Sequence, residues 1–307
     1  MPALTPTKKR KNLLTFERWL VENDRSPLSV KNYLADIRRF GEWFRQTSRQ
    51  ALAPELITPQ DVRDYRDYLF KHKAASSTIN RRLTSLRLYA RWAKEAGLIE
   101  FDPAERVRSA ERQVVAPKWL DRSDTNALVR EARNQIKLAS EAKKGQAIRN
   151  HAVIVILLNT GLRVSELCAL EMGDLTYSER KGKIKVRRGK GSKQREVPLN
   201  PEALEALKAV LDARPESLKH RFVFAGQDGL PLKPGGVQEM LAALSRRAGA
   251  EATPHTLRHT FAKNLVDRGV PLDQVAALLG HSSLNTTRLY TTPSEADLER
   301  AVSAIGE

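Results

Sequence analysis

The chain of 307 residues holds a single cysteine, Cys168, so no disulfide can close within it. A lone thiol fits a reducing compartment better than an oxidising one. Long apolar runs are missing as well. The continuous stretch Ala152–Leu158 falls far short of the ~18 residues that a membrane span needs. The basic cluster Lys8–Lys11 is not followed by the apolar segment of a secretion signal. A cytoplasmic chain without membrane attachment is therefore expected. Acidic residues are in deficit: 36 Asp and Glu stand against 53 Lys and Arg, a net charge of +17. That imbalance points to a polyanionic partner, most often nucleic acid, with a soluble basic protein lacking such a partner as the alternative. The glutamate of the HExxH zinc motif is also absent. His255 and His259 are four apart, but Arg258 between them would repel a cation, so no metal and no cofactor is expected.

What is present is organised in two halves, and the length suffices for two domains with real cores. Residues 1–11 read as a basic arm that either touches phosphate or stays solvated. Residues 12–108 carry helical periodicity throughout. Leu14, Phe16, Trp19 and Leu20 open one segment, and Ser29 is placed to cap a second. Thr58 and Pro59 start a third, and Ser77 opens a fourth. A bundle of four or five helices is expected. Arg81, Arg82, Arg87 and Arg91 cluster on the fourth segment. They present either a face for the DNA backbone or an ordinary solvated surface. Residues 109–118 read as a linker and residues 119–307 as a second domain.

In that second half, Asp121 or Ser123 is placed to start a helix. Ile136–Gly145 is polar and reads as a helix end plus an exposed loop. Ala152–Leu158 reads as a buried helix that Gly161 breaks. Arg163 follows at once, with Glu166 three residues on. Ile184 and Val186 alternate with lysines, Gly189–Gly191 reads as a turn, and Glu196–Leu199 as the returning strand.

The densest chemistry lies between His255 and Tyr290, where His255, Arg258, His259, His281, Arg288 and Tyr290 are separated by two amphipathic helical patterns. An arginine offers a rigid fork of donors to phosphate oxygens. A histidine donates a hydrogen bond or moves a proton near neutral pH. A tyrosine hydroxyl, with a pKa near ~10, is a weak nucleophile unless cations surround it. Together these groups suit attack on a phosphodiester. Ser282 or Ser283 is placed to cap a third short helix, with Tyr290 about two turns into it.

The ordered blocks TGLRVSEL, HTLRH, LLGHSS and TTRLYT resemble the signature of the tyrosine recombinase/integrase family. The resemblance implies a mainly α fold with a small antiparallel β-sheet or hairpin. An N-terminal helical core-binding domain of SAM-like type would precede a mixed α/β catalytic domain. It implies site-specific recombination through a 3′-phosphotyrosyl intermediate and a Holliday junction. The implied catalytic set is Arg163, Lys190, His255, Arg258, His281 and the nucleophile Tyr290, supported by Glu166 and His259. Arg163 and Arg258 would hold the phosphate, and His255 and His281 would manage hydrogen bonds and the tyrosine proton. GKG-x-K-x-R-x-VPL resembles the family's minor-groove hairpin, which makes Lys190 the general acid, with Lys193 the second choice. Arg81, Arg82, Arg87 and Lys193 are candidate DNA contacts. The implied partners are double-stranded DNA at a specific site, on the nucleoid, and further copies of the chain. These would form a tetramer on two duplexes, with a related recombinase or accessory protein as a further candidate. Relaxation by a type IB topoisomerase, or DNA binding without chemistry, are the alternatives. Whether the tail Ser294–Glu307 packs in cis or docks on a neighbour is left open, as is the choice among dimer resolution, phage integration and transposon resolution.

Overall fold

The computed structural model describes residues 6–111, 117–187, 194–214, 221–226, 228–281, 285–291 and 302–303. The chain divides into two compact units, Met1–Val115 and Ala116–Glu307. None of the described helices is long and apolar enough to cross a membrane.

The first unit contains α1 (Pro6–Glu22), α2 (Pro27–Ser48), α3 (Pro59–Lys71) and α4 (Ser76–Glu95). The basic cluster at 8–11 lies within α1 rather than in an arm. Proline suits a first helical position and Lys and Arg are good helix formers, so the helix extends back to Pro6. Ser26, not Ser29, caps α2, because Pro27 already fixes the first turn and the Ser29 amide donates to the Ser26 hydroxyl. Thr58 caps α3 in a reciprocal box with Asp61. The apolar stripes meet in an aromatic core in which Phe16 lies edge-on to Tyr89 at 5.1 Å and Phe40 edge-on to Tyr65 at 5.0 Å.

The arginines expected as DNA contacts all have partners inside this unit. Arg81 pairs with the buried carboxylate of Asp36, which also accepts from Ser85. Arg82 donates to the Tyr65 hydroxyl at 3.3 Å. Arg87 donates to the Val107 carbonyl at 2.7 Å, holding the segment after α4.

The second unit is built around α6 (Glu141–Thr160). Its apolar run Ala152–Leu158 is buried on every side, with α5 (Arg122–Leu138), α8 (Pro201–Asp212) and α10 (Pro254–Asp267) packed about it. Each fully buried Val, Leu or Ile there contributes about 1.5–3 kcal/mol. Most of the stretch Ile136–Gly145, expected to include a loop, is helical on both sides of a break at Ala139 and Ser140. Its Ala, Glu, Lys and Gln content favours helix over loop. A three-stranded antiparallel sheet follows α7 (Val164–Cys168): β1 (Leu175–Tyr177), β2 (Gly182–Val186) and β3 (Arg195–Leu199), in the order β1-β2-β3. Ile184 pairs with Val197, and both are buried. The chain continues through α9 (Pro234–Ala248) and α11 (Leu272–Leu279) to the single turn α12 (Asn285–Arg288). The sole cysteine, Cys168, is buried and its thiol is pushed up to about 11 by burial, so it stays protonated and unreactive.

Two glycines end the helices that frame the site. Gly161 closes α6 and Gly280 closes α11, both left-handed at φ +61° and +66°. A Cβ at Gly161 would clash with the Phe261 ring. Gly161→Ala combines backbone strain with this clash. It is expected to lower unfolding free energy by more than about 1 kcal/mol, read as an earlier urea midpoint with an unchanged slope.

Candidate active site

Arg163 stands at the turn between α6 and α7, where it is the residue just before the first helical position. Its backbone N–H donates to the Glu166 carboxylate at 2.8 Å, and its guanidinium donates to the same carboxylate at 2.9 Å. The other face of Glu166 is gripped by a fork from Arg195 on β3, at 3.0 and 2.7 Å. Burial works to raise the Glu166 carboxyl, but the Arg195 fork and the Arg163 donors outweigh it and hold the group at about 2.

Arg258, on α10, is 4% exposed. It donates to the Gly161 carbonyl at the end of α6 and, at 2.7 Å, to the Leu279 carbonyl at the end of α11. Arg195 adds a bond from Nε to the Leu278 carbonyl at 2.8 Å. Helix C-termini leave carbonyls without intrahelical donors and carry partial negative charge. Two such ends, created by Gly161 and Gly280, therefore orient the buried guanidiniums. Burial first, and then neighbouring Arg163, lower Arg258 to about 10, which leaves it cationic at neutral pH. Two guanidiniums thus share one carboxylate with Arg258 close by, and the excess positive charge suits an anion.

Tyr290 lies in the same region, 2% exposed, packed against Phe261, Ala262, Val275 and Leu279. Its hydroxyl is 2.7 Å from Nδ1 of His259, one residue after Arg258. Burial raises the phenol, while Arg258 works to lower it. His259 is lowered by burial, then by His255 and Arg258, so it is neutral at neutral pH. His281, directly after Gly280, has its Nδ1 3.1 Å from the Thr287 hydroxyl. Burial first, then Arg258 and Arg163, push His281 down to about 4. His255 sits on the exposed first turn of α10, its ring centroid 6.4 Å from that of His259.

Residues 118–297 match the Phage integrase family, and residues 14–97 match the Phage integrase N-terminal SAM-like domain. The chain belongs to the phage integrase family. Tyrosine recombinase XerC of Pediococcus pentosaceus is 30% identical to it, over 93% of this chain and 94% of that protein. Tyrosine recombinase XerD of Listeria innocua is 31% identical, over 89% and 90% of the two chains. Among solved structures, the XerH site-specific recombinase bound to palindromic difH substrate aligns with a TM-score of 0.73 at 23% identity, covering 91% of this chain and 80% of that one. A lambda integrase dimer bound to a COC′ core site aligns with a TM-score of 0.67 at 19% identity, covering 92% and 76%. These likenesses establish the tyrosine recombinase fold, mainly helical with a small antiparallel sheet.

Of the site residues expected for this tyrosine recombinase, Arg163, Glu166, Arg258, His259, His281 and Tyr290 converge, with His255 at the rim. Lys190 and Lys193 lie outside the described residues. Two features differ from expectation. Tyr290 is not inside a helix: α12 ends at Arg288, and the Tyr290 amide donates to the Thr287 carbonyl in a turn. A segment this short, with two β-branched threonines, propagates poorly as helix. Ser282 and Ser283, the expected caps, lie outside the described residues. The hydroxyl of Tyr290, moreover, meets His259 and neither His255 nor His281.

Arg195 was not anticipated from sequence. Its signal was present, since strand alternation puts it on the same face as Val197 and Leu199, toward the core.

Proposed function

We propose that Tyr290 attacks one backbone phosphate of a specific DNA site and forms a 3′-phosphotyrosyl link. Arg163 and Arg258 hold the non-bridging oxygens, and their placement round one carboxylate leaves net positive charge for the phosphorane. Neutral His281 contributes a hydrogen bond rather than a charge, and His255 at the rim is placed for another. Lys190 delivers the proton to the departing 5′-oxygen. The 5′-hydroxyl of a partner strand then reverses the step, so strands exchange through a Holliday junction. Bond energy is kept in the phosphotyrosine, and the scheme calls for neither ATP nor a metal.

The observation that carries this reading is the Tyr290 hydroxyl lying beside the Arg258–His259 pair, within the cluster that also holds Arg163 and His281. The XerC and XerD relatives are recombinases, which favours strand exchange over topoisomerase relaxation or binding alone. Double-stranded DNA is the partner, in keeping with XerH bound to a palindromic difH substrate and lambda integrase bound to a COC′ core site. Four copies on two duplexes, in the cytoplasm at the nucleoid, are the working assembly. Incubation with end-labelled duplexes from the neighbouring genome tests this. A denaturation-resistant adduct at one phosphate of each strand is expected, with junctions resolved by the same protein. Relaxation of supercoils without junctions would overturn it.

A further inference from the structure

A buried phenol beside the Arg258 cation still has to give up its proton when it attacks phosphorus. The described structure offers one ring nitrogen within hydrogen-bond distance of the Tyr290 hydroxyl, Nδ1 of His259 at 2.7 Å. The two rings pack together, with centroids 5.6 Å apart. His281 is turned toward Thr287, and no described bond joins His255 to the phenol.

We propose that His259 is the general base of strand cleavage, accepting the Tyr290 proton on Nδ1. The inference rests on Tyr290 being the nucleophile. In the tautomer with its proton on Nε2, the His259 ring accepts the hydroxyl hydrogen. During attack the Tyr290 O–H bond breaks, its proton moves to Nδ1, and the oxygen's electron pair forms the new P–O bond. The bond from phosphorus to the 5′-oxygen breaks, and that oxygen takes its proton from the general acid. In rejoining, the imidazolium returns its proton to Tyr290 as the 5′-hydroxyl attacks.

The electrostatics suit a base that is neutral at rest. His255 and Arg258 from α10 and His281 after α11 face His259, Arg258 faces Tyr290, and Arg163, Arg195 and Glu166 stand beyond Arg258. Burial first, and then His255 and Arg258, lower His259, so it holds no proton at neutral pH. The imidazolium becomes favourable only as the phosphorane gains negative charge, so proton transfer is coupled to bond formation rather than preceding it.

The test uses the full chain and a duplex nicked near the cleavage site, so that rejoining is lost and cleavage is read alone. His259→Asn is the decisive variant. Its side-chain oxygen falls near the position of Nδ1, so it still accepts the phenol hydrogen bond but cannot take up the proton. Cleavage is expected to slow by about 10²–10⁴-fold at unchanged DNA affinity and melting temperature. In the unaltered protein the rate is expected to fall as pH drops below the usual histidine range. That acid limb should vanish in His259→Asn and persist in His255→Asn. A rate within threefold of the parent, or a faster one showing that the bond only restrains Tyr290, overturns the proposal. Should His259→Asn melt early, the decision falls to the unaltered protein, where the absence of any acid limb below the usual histidine range overturns it. Peptide mapping of the adduct separates the two readings. Attachment at Tyr290 with undiminished rate sinks only the base assignment, whereas attachment elsewhere sinks the nucleophile as well.

Discussion

Tyr290→Phe is expected to abolish the covalent protein–DNA adduct, a loss beyond the detection limit of a denaturing gel, while DNA affinity stays within about twofold. The substitution removes one oxygen from a side chain that is 2% exposed and leaves the ring against Phe261, Val275 and Leu279. Packing is therefore conserved. The one described interaction lost is the bond to His259, a neutral hydrogen bond whose net contribution is about 1 kcal/mol. A small change in melting temperature thus accompanies a total loss of chemistry. The split matters because an alternative nucleophile, such as the hydroxyl of Thr287 or Thr291, would leave the adduct in place. Persistent adduct formation by Tyr290→Phe, with attachment mapped to another residue, is the result that removes the mechanism proposed above.

Most helices of both units were legible from sequence through a stripe at the helical period or an end signal, whereas the all-round buried α6 was read from its continuous apolar run. Asp121 and Thr58 cap as their positions suggest. Gly161 and Gly280 stop their helices for a local reason, the left-handed conformation that glycine tolerates. The arginines and the tyrosine could be named because the ordered blocks resemble a family. What they touch could not, because those contacts are tertiary. His255 and His259 are one turn apart on the same helix, and the helical period does not say which of them meets a residue 31 positions from His259. That choice is made by Tyr290 packing into a small apolar cluster with Phe261 and Leu279. The arginines of α4 likewise have tertiary partners that their pattern does not announce. Arg81, Arg82 and Arg87 each find an acceptor brought to them by a distant segment, a contact that helical periodicity does not encode.

Glu166 offers the other large effect, because one carboxylate holds two guanidiniums in place. Its pairs with Arg163 and Arg195 leave its side chain 10% exposed. Glu166→Ala leaves Arg163, Arg195 and Arg258 facing one another with only backbone carbonyls between them. Breaking a buried pair in this way costs about 3–5 kcal/mol, which should be read as a melting temperature lower by several degrees. The released Arg163 no longer points at a fixed phosphate position, and a displacement near 1 Å is enough to slow cleavage by about 10²-fold. DNA affinity should move the other way or not at all, since a bound phosphate relieves more repulsion once the carboxylate is gone. Glu166→Gln isolates the charge. The folded carboxyl titrates at about 2, below its unfolded value, so its contribution is fully present above pH ~4.5 and is lost as pH falls toward ~2. The parent should therefore be more stable than Glu166→Gln at pH 7, with the gap closing across that acid window. A gap that stays constant from pH 7 to pH 3 would mean that shape, and not charge, holds Arg163 and Arg195 in the site.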